Sequence, residues 1–151
     1  MKILVGVDGS PCSDVAVAAI AARPWPQGSQ IKLVFAIHST VPWVPDPFLL
    51  HAAASMDSFD QQRKLATGVL EKAAATLRQG SGTRDVPVDS AAIEGVPKEV
   101  LVDEAGRWGA DLIVVGSHGR GLVKRFVLGS VSHAVVLHAP CAVEVVRQRE
   151  A

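Results

Sequence analysis

Ile3 to Val7 is a short, unbroken apolar run, the pattern of a strand covered on both faces. It stops at Asp8-Gly9-Ser10-Pro11, turn and cap chemistry, and a helix is predicted from Ser13 to Ala22. Ile31 to Ile37 repeats the buried-strand pattern. Between Ser39 and Asp57, Pro42, Pro45 and Pro47 stand among Trp43, Phe48 and Leu49, which predicts a long connection with room for a short helix. From Ser58 to Gln79 the pattern turns helical: Leu65, Val69, Ala73 and Leu77 recur every four residues on one face, and Gly80-Ser81-Gly82 closes the segment. Val86 to Ile93 is a third strand, less buried because it carries Asp89 and Ser90. Gly95-Val96-Pro97 opens a helix to Trp108, with the proline suited to a first turn. Asp111 to Val115 is the fourth strand, a glycine-rich basic loop spans Gly116 to Leu128, a helix runs from Gly129 to His138, and Ala142 to Arg147 is the last strand.

This alternation of strands and helices predicts an α/β fold, a single domain over residues 1–151 built on a doubly wound, five-stranded parallel sheet with right-handed crossovers. A length of 151 residues suffices to bury one core, and 48 % apolar with 20 % charged residues is an ordinary globular balance. Lys plus Arg and Asp plus Glu both total 15, so the net charge is zero. That neutrality argues against nucleic acid or anionic membrane as partners, since either needs a basic excess, and it requires any anion site to be local. Met1-Lys2 is followed by too few uncharged residues before Asp8 for a signal-peptide core, and no apolar run approaches a membrane span. Cys12 and Cys141 stand apart without metal-ligand or disulfide spacing, so reduced thiols in a cytoplasmic protein are expected. Cys12, close to a helix start, is also a candidate for a lowered thiol pKa.

In an open α/β sheet, ligands bind beyond the carboxyl ends of the strands. Asp8-Gly9-Ser10, His38-Ser39, Glu94-Gly95 and Gly116-Ser117-His118-Gly119 follow the predicted strands and should share one edge. The sharper signal is Gly116-Ser117-His118-Gly119, nine residues from Arg120 to Leu128, then Gly129-Ser130-Val131-Ser132. Glycine at a strand exit lets backbone approach a bulky ligand with no Cβ in the way. Gly129-Ser130 opens a helix whose first amides lack internal partners, and Ser130 and Ser132 add hydroxyls there. With Arg120, Lys124 and Arg125 supplying positive charge, the array suits a polyphosphate. The same residues also have a local reading: glycine after a strand and serine at a helix start are common, and the three basic residues can form a solvated face.

The stretch GSHGRGLVKRFVLGSVSHAVVLHAPCAVEVV resembles the C-terminal signature of universal stress proteins, G-x-x-G-x9-G-[ST], met here by Gly116, Gly119, Gly129 and Ser130. ILVGVDGSPCSDVAV resembles the family's first strand and turn, and Glu94-Gly95-Val96-Pro97 the turn after its third strand. The resemblance covers nearly the whole chain, with Ser39 to Asp57 the least typical part. It implies an adenine nucleotide alpha hydrolase-like sheet of order 3-2-1-4-5 and a bound ATP, with or without Mg²⁺. It further implies that Gly116, Gly119, Gly129, Ser130, Val131 and Ser132 hold ribose and phosphates, with Arg120 beside them. Asp8 would sit near the ribose or the metal, and the backbone of Ile37 would meet the adenine. It also implies a homodimer through the last strand. There this chain departs from the pattern, since Glu144 stands where relatives carry an apolar residue; a charge at that place can act as an edge-strand guard.

No P-loop, Rossmann fingerprint or nucleophile elbow is present. His38, His51, His118, His133 and His138 show no ligand spacing, although His118 lies in the glycine loop. Trp25, Trp43 and Trp108 are too scattered for a base-stacking platform. With no obvious base or nucleophile, no residue is assigned a catalytic role. The expectation is an ATP-binding regulatory or stress-adaptor protein. Two alternatives stay open: slow ATP hydrolysis or self-phosphorylation, for which Asp8 and Glu94 are the nearby acids, and a nucleotide-independent interaction protein.

Overall fold

The computed structural model describes residues 1–38, 56–119 and 128–148, with no side-chain description for 56–58. Among these described residues nine elements follow in order: β1 (Lys2–Gly6), α1 (Pro11–Ala22), β2 (Gln30–Ile37), α2 (Met56–Gln79), β3 (Val88–Glu94), α3 (Pro97–Trp108), β4 (Leu112–Gly116), α4 (Ser130–His138) and β5 (Ala142–Val146). The strands form one sheet of order β3-β2-β1-β4-β5, every pair parallel. This is the doubly wound architecture that the alternating pattern predicts. The expected connection with its short helix lies outside the described residues, apart from the start of α2.

The period of two along each strand divides the core between the faces. Ile3, Val5 and Leu33 lie with Ile20 of α1 and Leu70 and Leu77 of α2 in one cluster. Leu4, Val34 and Ile113 lie with Leu101 of α3 and Val135 of α4 in the other. Central β1 has its three middle residues buried, whereas edge strand β3 buries none of its residues fully. The weaker apolar pattern around Asp89 and Ser90 reflects that edge position.

Most boundaries differ from expectation by one or two residues, and two of these shifts have clear local reasons. Helix α1 begins at Pro11, not Ser13, because the Ser10 side chain caps it and the proline fits its first turn. Strand β3 begins at Val88, since the Val86 amide closes a turn onto the Thr83 carbonyl at 3.0 Å. Along α2 the buried face also shifts. Ala66, Leu70, Ala73, Ala74 and Leu77 are buried, while Leu65 is 39 % exposed. A row of every fourth residue drifts by about 40° per step on a helix of 3.6 residues per turn, so mixed steps of three and four follow the sheet and a pure four-step row leaves it. Helix α3 ends at Gly109, in the left-handed region at φ 70°. Both cysteines are free thiols. Burial, helped by Asp111, raises the Cys141 pKa. Among the described residues no helix is long and apolar enough to cross a membrane.

Candidate nucleotide site

The neighbouring of β1 and β4 at the centre of the sheet sets the site. Their exits run to α1 on one face and toward α4 on the other, so β1 and β4 form the switch point at which open α/β sheets take their ligands. On the β1 side, the Asp8 carboxylate accepts from the Ser10 amide at 2.9 Å, and the Ser13 amide donates to Ser10 Oγ at 3.2 Å. Gly9 takes the left-handed turn at φ 78°. Ser10 Oγ then reaches across to the His118 carbonyl at 3.3 Å, tying the first loop to the fourth.

On the β4 side, Ser117 is the hub. Its amide donates to the Val146 carbonyl at 2.8 Å, and its own carbonyl accepts from the Gly129 amide at 2.8 Å and from Ser132 Oγ at 3.0 Å. Its hydroxyl lies 3.0 Å from His118 Nδ1 and 3.8 Å from Cys12 Sγ. The loop is thereby fastened to β5, to the start of α4 and to the start of α1. His118 Nε2 is covered and has no hydrogen-bond partner among the described residues, a free polar atom within the loop.

Of the three glycines, Gly116 is sterically required by backbone, and the other two sit in close contact with their neighbours. A Cβ on Gly116 would fall 2.7 Å from the carbonyl carbon of Cys12, so this glycine lets the first turn of α1 press against the end of β4. A Cβ on Gly119 would fall 2.9 Å from Asp8 Oδ2, which places that loop residue directly beside the first-strand carboxylate. A Cβ on Gly129 would fall 3.1 Å from the Ser117 carbonyl oxygen.

Gly129 caps α4 in extended conformation and no side chain caps that helix. The amides of Ser130, Val131 and Ser132 therefore open the helix with no side-chain acceptor, next to Ser117 and His118, an arrangement able to receive an anion. Ser130 is exposed, whereas Ser132 is buried and its hydroxyl is used within the loop, on the carbonyls of Ser117 and Gly129. Ile37 is buried, and its carbonyl accepts from the Gly95 amide at 3.0 Å. Asp8, Ile37, Gly116, Gly119, Gly129, Ser130, Val131 and Ser132 thus all lie along the carboxyl edge of the sheet. Arg120, with Lys124 and Arg125, lies outside the described residues. Ser10, Ser117 and Cys12, which sequence reasoning set near the strand exits without a part in the site, are its structural partners; the available signal was their position beside the glycines and the i, i+3 spacing of Ser10 and Ser13.

Among the described residues no group of three or more His, Cys, Asp or Glu could hold a metal ion. A cavity of about 400 Å³ lies at the opposite end of the sheet, lined by Trp25, Gln30, Gly82, Arg84 and Val86, and shares no residue with the glycine array.

The model of the universal stress protein family matches residues 1–147. A Thermus aquaticus universal stress protein, encoded in the 3′ region of a QAH/OAS sulfhydrylase gene, is 32 % identical over 146 residues, covering 96 % of this chain and 97 % of its own. The solved structure of UspA from Lactobacillus plantarum superposes with a TM-score of 0.77 at 25 % identity, covering 97 % of both chains. A universal stress protein solved in complex with cAMP gives 0.67 at 25 % identity, with 97 % of this chain and 96 % of that one covered. Two more distant structures of the same fold carry AMP (Arabidopsis thaliana, 20 % identical, TM-score 0.65, covering 99 % of this chain and 92 % of that one) and dAMP (Archaeoglobus fulgidus, 21 %, 0.66, 97 % of both).

Proposed function

Because the chain belongs to the universal stress protein family, we propose that it binds an adenine nucleotide, with ATP the favoured form, and acts as a regulatory stress adaptor in the cytoplasm. The bound nucleotide would alter how the protein meets a second copy of itself or another partner. One observation carries the reading: the helix α4 opens without a side-chain cap, beside a strand exit whose glycines let its loop pack closely against Cys12, Asp8 and Ser117. An uncapped helix start attracts phosphate through its free amides and its partial positive charge. The AMP, cAMP and dAMP held by the structural relatives support an adenine nucleotide as the ligand class.

In this assignment the amides of Ser130, Val131 and Ser132 and the Ser130 hydroxyl take the phosphates, with Arg120 adding charge. Gly116, Gly119 and Gly129 let the loops that hold the ligand pack closely together. Asp8 faces the ribose, the backbone of Ile37 meets the base, and the covered His118 Nε2 is available to a polar group of the ligand. A Mg²⁺ ion, where present, would rest on the phosphates and on Asp8 alone, in keeping with its preference for few protein ligands. The protein is further assigned a homodimer formed through β5.

Isothermal titration with ATP tests the site. Gly119→Val places bulk against Asp8 and into the phosphate approach, and it should abolish binding while the circular dichroism spectrum is retained. A folded Gly119→Val protein that binds as tightly as the parent overturns the assignment.

A further inference from the structure

Ser117 is buried, and its main chain does the fastening described above, on Val146, Gly129 and Ser132. Its hydroxyl is used differently. Among the described residues that hydroxyl has two partners, Cys12 Sγ at 3.8 Å and His118 Nδ1 at 3.0 Å. A hydroxyl both donates and accepts, so it joins the thiol and the imidazole in one chain. The thiol end is half-buried, in the first turn of α1. At the imidazole end, Nε2 is covered and has no hydrogen-bond partner among the described residues. Buried polar atoms are almost always paired, so this ring nitrogen points to a ligand atom as its partner.

The two ends of the chain are chemically linked. A thiol reacts as the thiolate, so its proton has to leave. Here the route is short: Cys12 gives its proton to Ser117 Oγ while Ser117 gives its own to His118 Nδ1, and the ring becomes protonated on both nitrogens. Such a ring aims an N–H from Nε2 into a covered place without an acceptor, which opposes the transfer. A phosphate oxygen at Nε2 reverses that balance, because it accepts the hydrogen bond and its negative charge favours the charged ring. The uncapped start of α4 is near enough for this. A Cβ on Gly129, its cap residue, would lie 3.3 Å from His118 Cα.

We propose that Cys12 is a modification site whose reactivity the bound nucleotide raises through His118 and Ser117. This rests on the nucleotide reading above and adds a regulated thiol to it. His118 meets the phosphate at Nε2 and takes the thiol proton at Nδ1, and Ser117 is the positioning residue that carries the proton between them. The reagents are hydroperoxides and soft electrophiles, which a thiolate attacks. With a hydroperoxide, the Cys12 sulfur forms an S–O bond to the outer oxygen as the O–O bond breaks. Sulfur gives up two electrons and becomes a sulfenic acid. The peroxide gains them, and its other oxygen leaves as water or an alcohol with the proton that the thiol released.

Alkylation by iodoacetamide tests the proposal, followed by peptide mass spectrometry so that Cys12 and Cys141 are read separately. ATP at a concentration that calorimetry shows to be saturating should speed alkylation of Cys12 by on the order of tenfold, the effect of one neighbouring opposite charge, and leave Cys141 unchanged. Hydrogen peroxide followed by dimedone should label Cys12 with the same dependence on ATP. If bound ATP leaves the Cys12 rate as it was, or slows it as a ligand that merely covers the thiol does, the proposal fails while the nucleotide reading stands. A folded protein that binds no adenine nucleotide overturns both. Ser117→Ala deletes the hydroxyl and keeps the main-chain contacts of the hub. At saturating ATP its Cys12 should lose the acceleration; an acceleration kept in full overturns the proposal. Should that variant fail to fold or to bind, His118→Gln takes its place, since glutamine keeps a donor but does not accept the proton, and the same two outcomes decide.

Discussion

At the scale of single residues, glycine and serine at the strand ends do more than one job, and the structure separates the jobs. Gly116 clears space for the backbone of Cys12 and Gly119 for the Asp8 carboxylate, two different neighbours for two letters of one motif. Ser130 and Ser132 divide in the same way. Ser130 is exposed at the helix start, while Ser132 fastens the loop by donating to the Ser117 carbonyl. Ser130→Ala should therefore weaken ATP binding by about 1.5–3 kcal/mol, the scale of a hydrogen bond to a charged group, with little change in melting temperature. Ser132→Ala should cost about 1 kcal/mol of stability by deleting a buried hydrogen bond, visible as a lower urea midpoint. Titration calorimetry and urea denaturation on both variants check the division, and equal effects on both quantities would refute it. The motif was legible because its spacing is linear along the chain. The partition was not, since a serine hydroxyl's partner depends on which carbonyl folds beneath it.

At the scale of elements, strands β1, β2 and β4 read directly from their apolar runs because both faces of a central parallel strand are covered. Helix α2 was legible as a helix but not in its rotation. The sheet selects Ala66, Leu70, Ala73, Ala74 and Leu77, and Leu65 turns outward. Leu70→Ala should destabilise by about 2–5 kcal/mol, as for a buried leucine in a packed core. Leu65→Ala should change stability by less than about 1 kcal/mol, as for an exposed position. Thermal melts of the two proteins compare them directly, and similar losses would show the face assigned to α2 to be wrong. The start of α1 carried its own signal in Ser10 and Pro11, a cap followed by a first-turn proline. The connection after β2 had no regular period to read.

Across the whole molecule, helices from distant parts of the chain are tied to the sheet by a few polar contacts as well as by the two apolar layers. Glu104 of α3 is buried and receives Lys32 of β2 at 2.7 Å and Arg107 at 3.2 Å. Lys32 Nζ also lies 5.6 Å from the centre of the Trp108 ring. Removing one member of a buried pair leaves the other charge uncompensated. Glu104→Ala should cost about 3–5 kcal/mol on that ground, and Lys32→Met combined with Glu104→Leu should recover much of the loss. Urea midpoints for the single and double variants measure this; a double variant no more stable than the single would show that the charge pair is not the cause. The amino-acid sequence by itself determined the succession of strands and helices, the parallel class of the sheet and the linear spacing of the glycines, because each depends on periodicity or turn chemistry within a few residues. Tertiary structure alone decided that Asp8 lies beside Gly119, that Ser117 joins three elements and that Glu144 is answered by Arg23. Those meetings follow from strand order, which sets β1 against β4 and lays α1 over β5, and strand order is a property of how the whole chain packs.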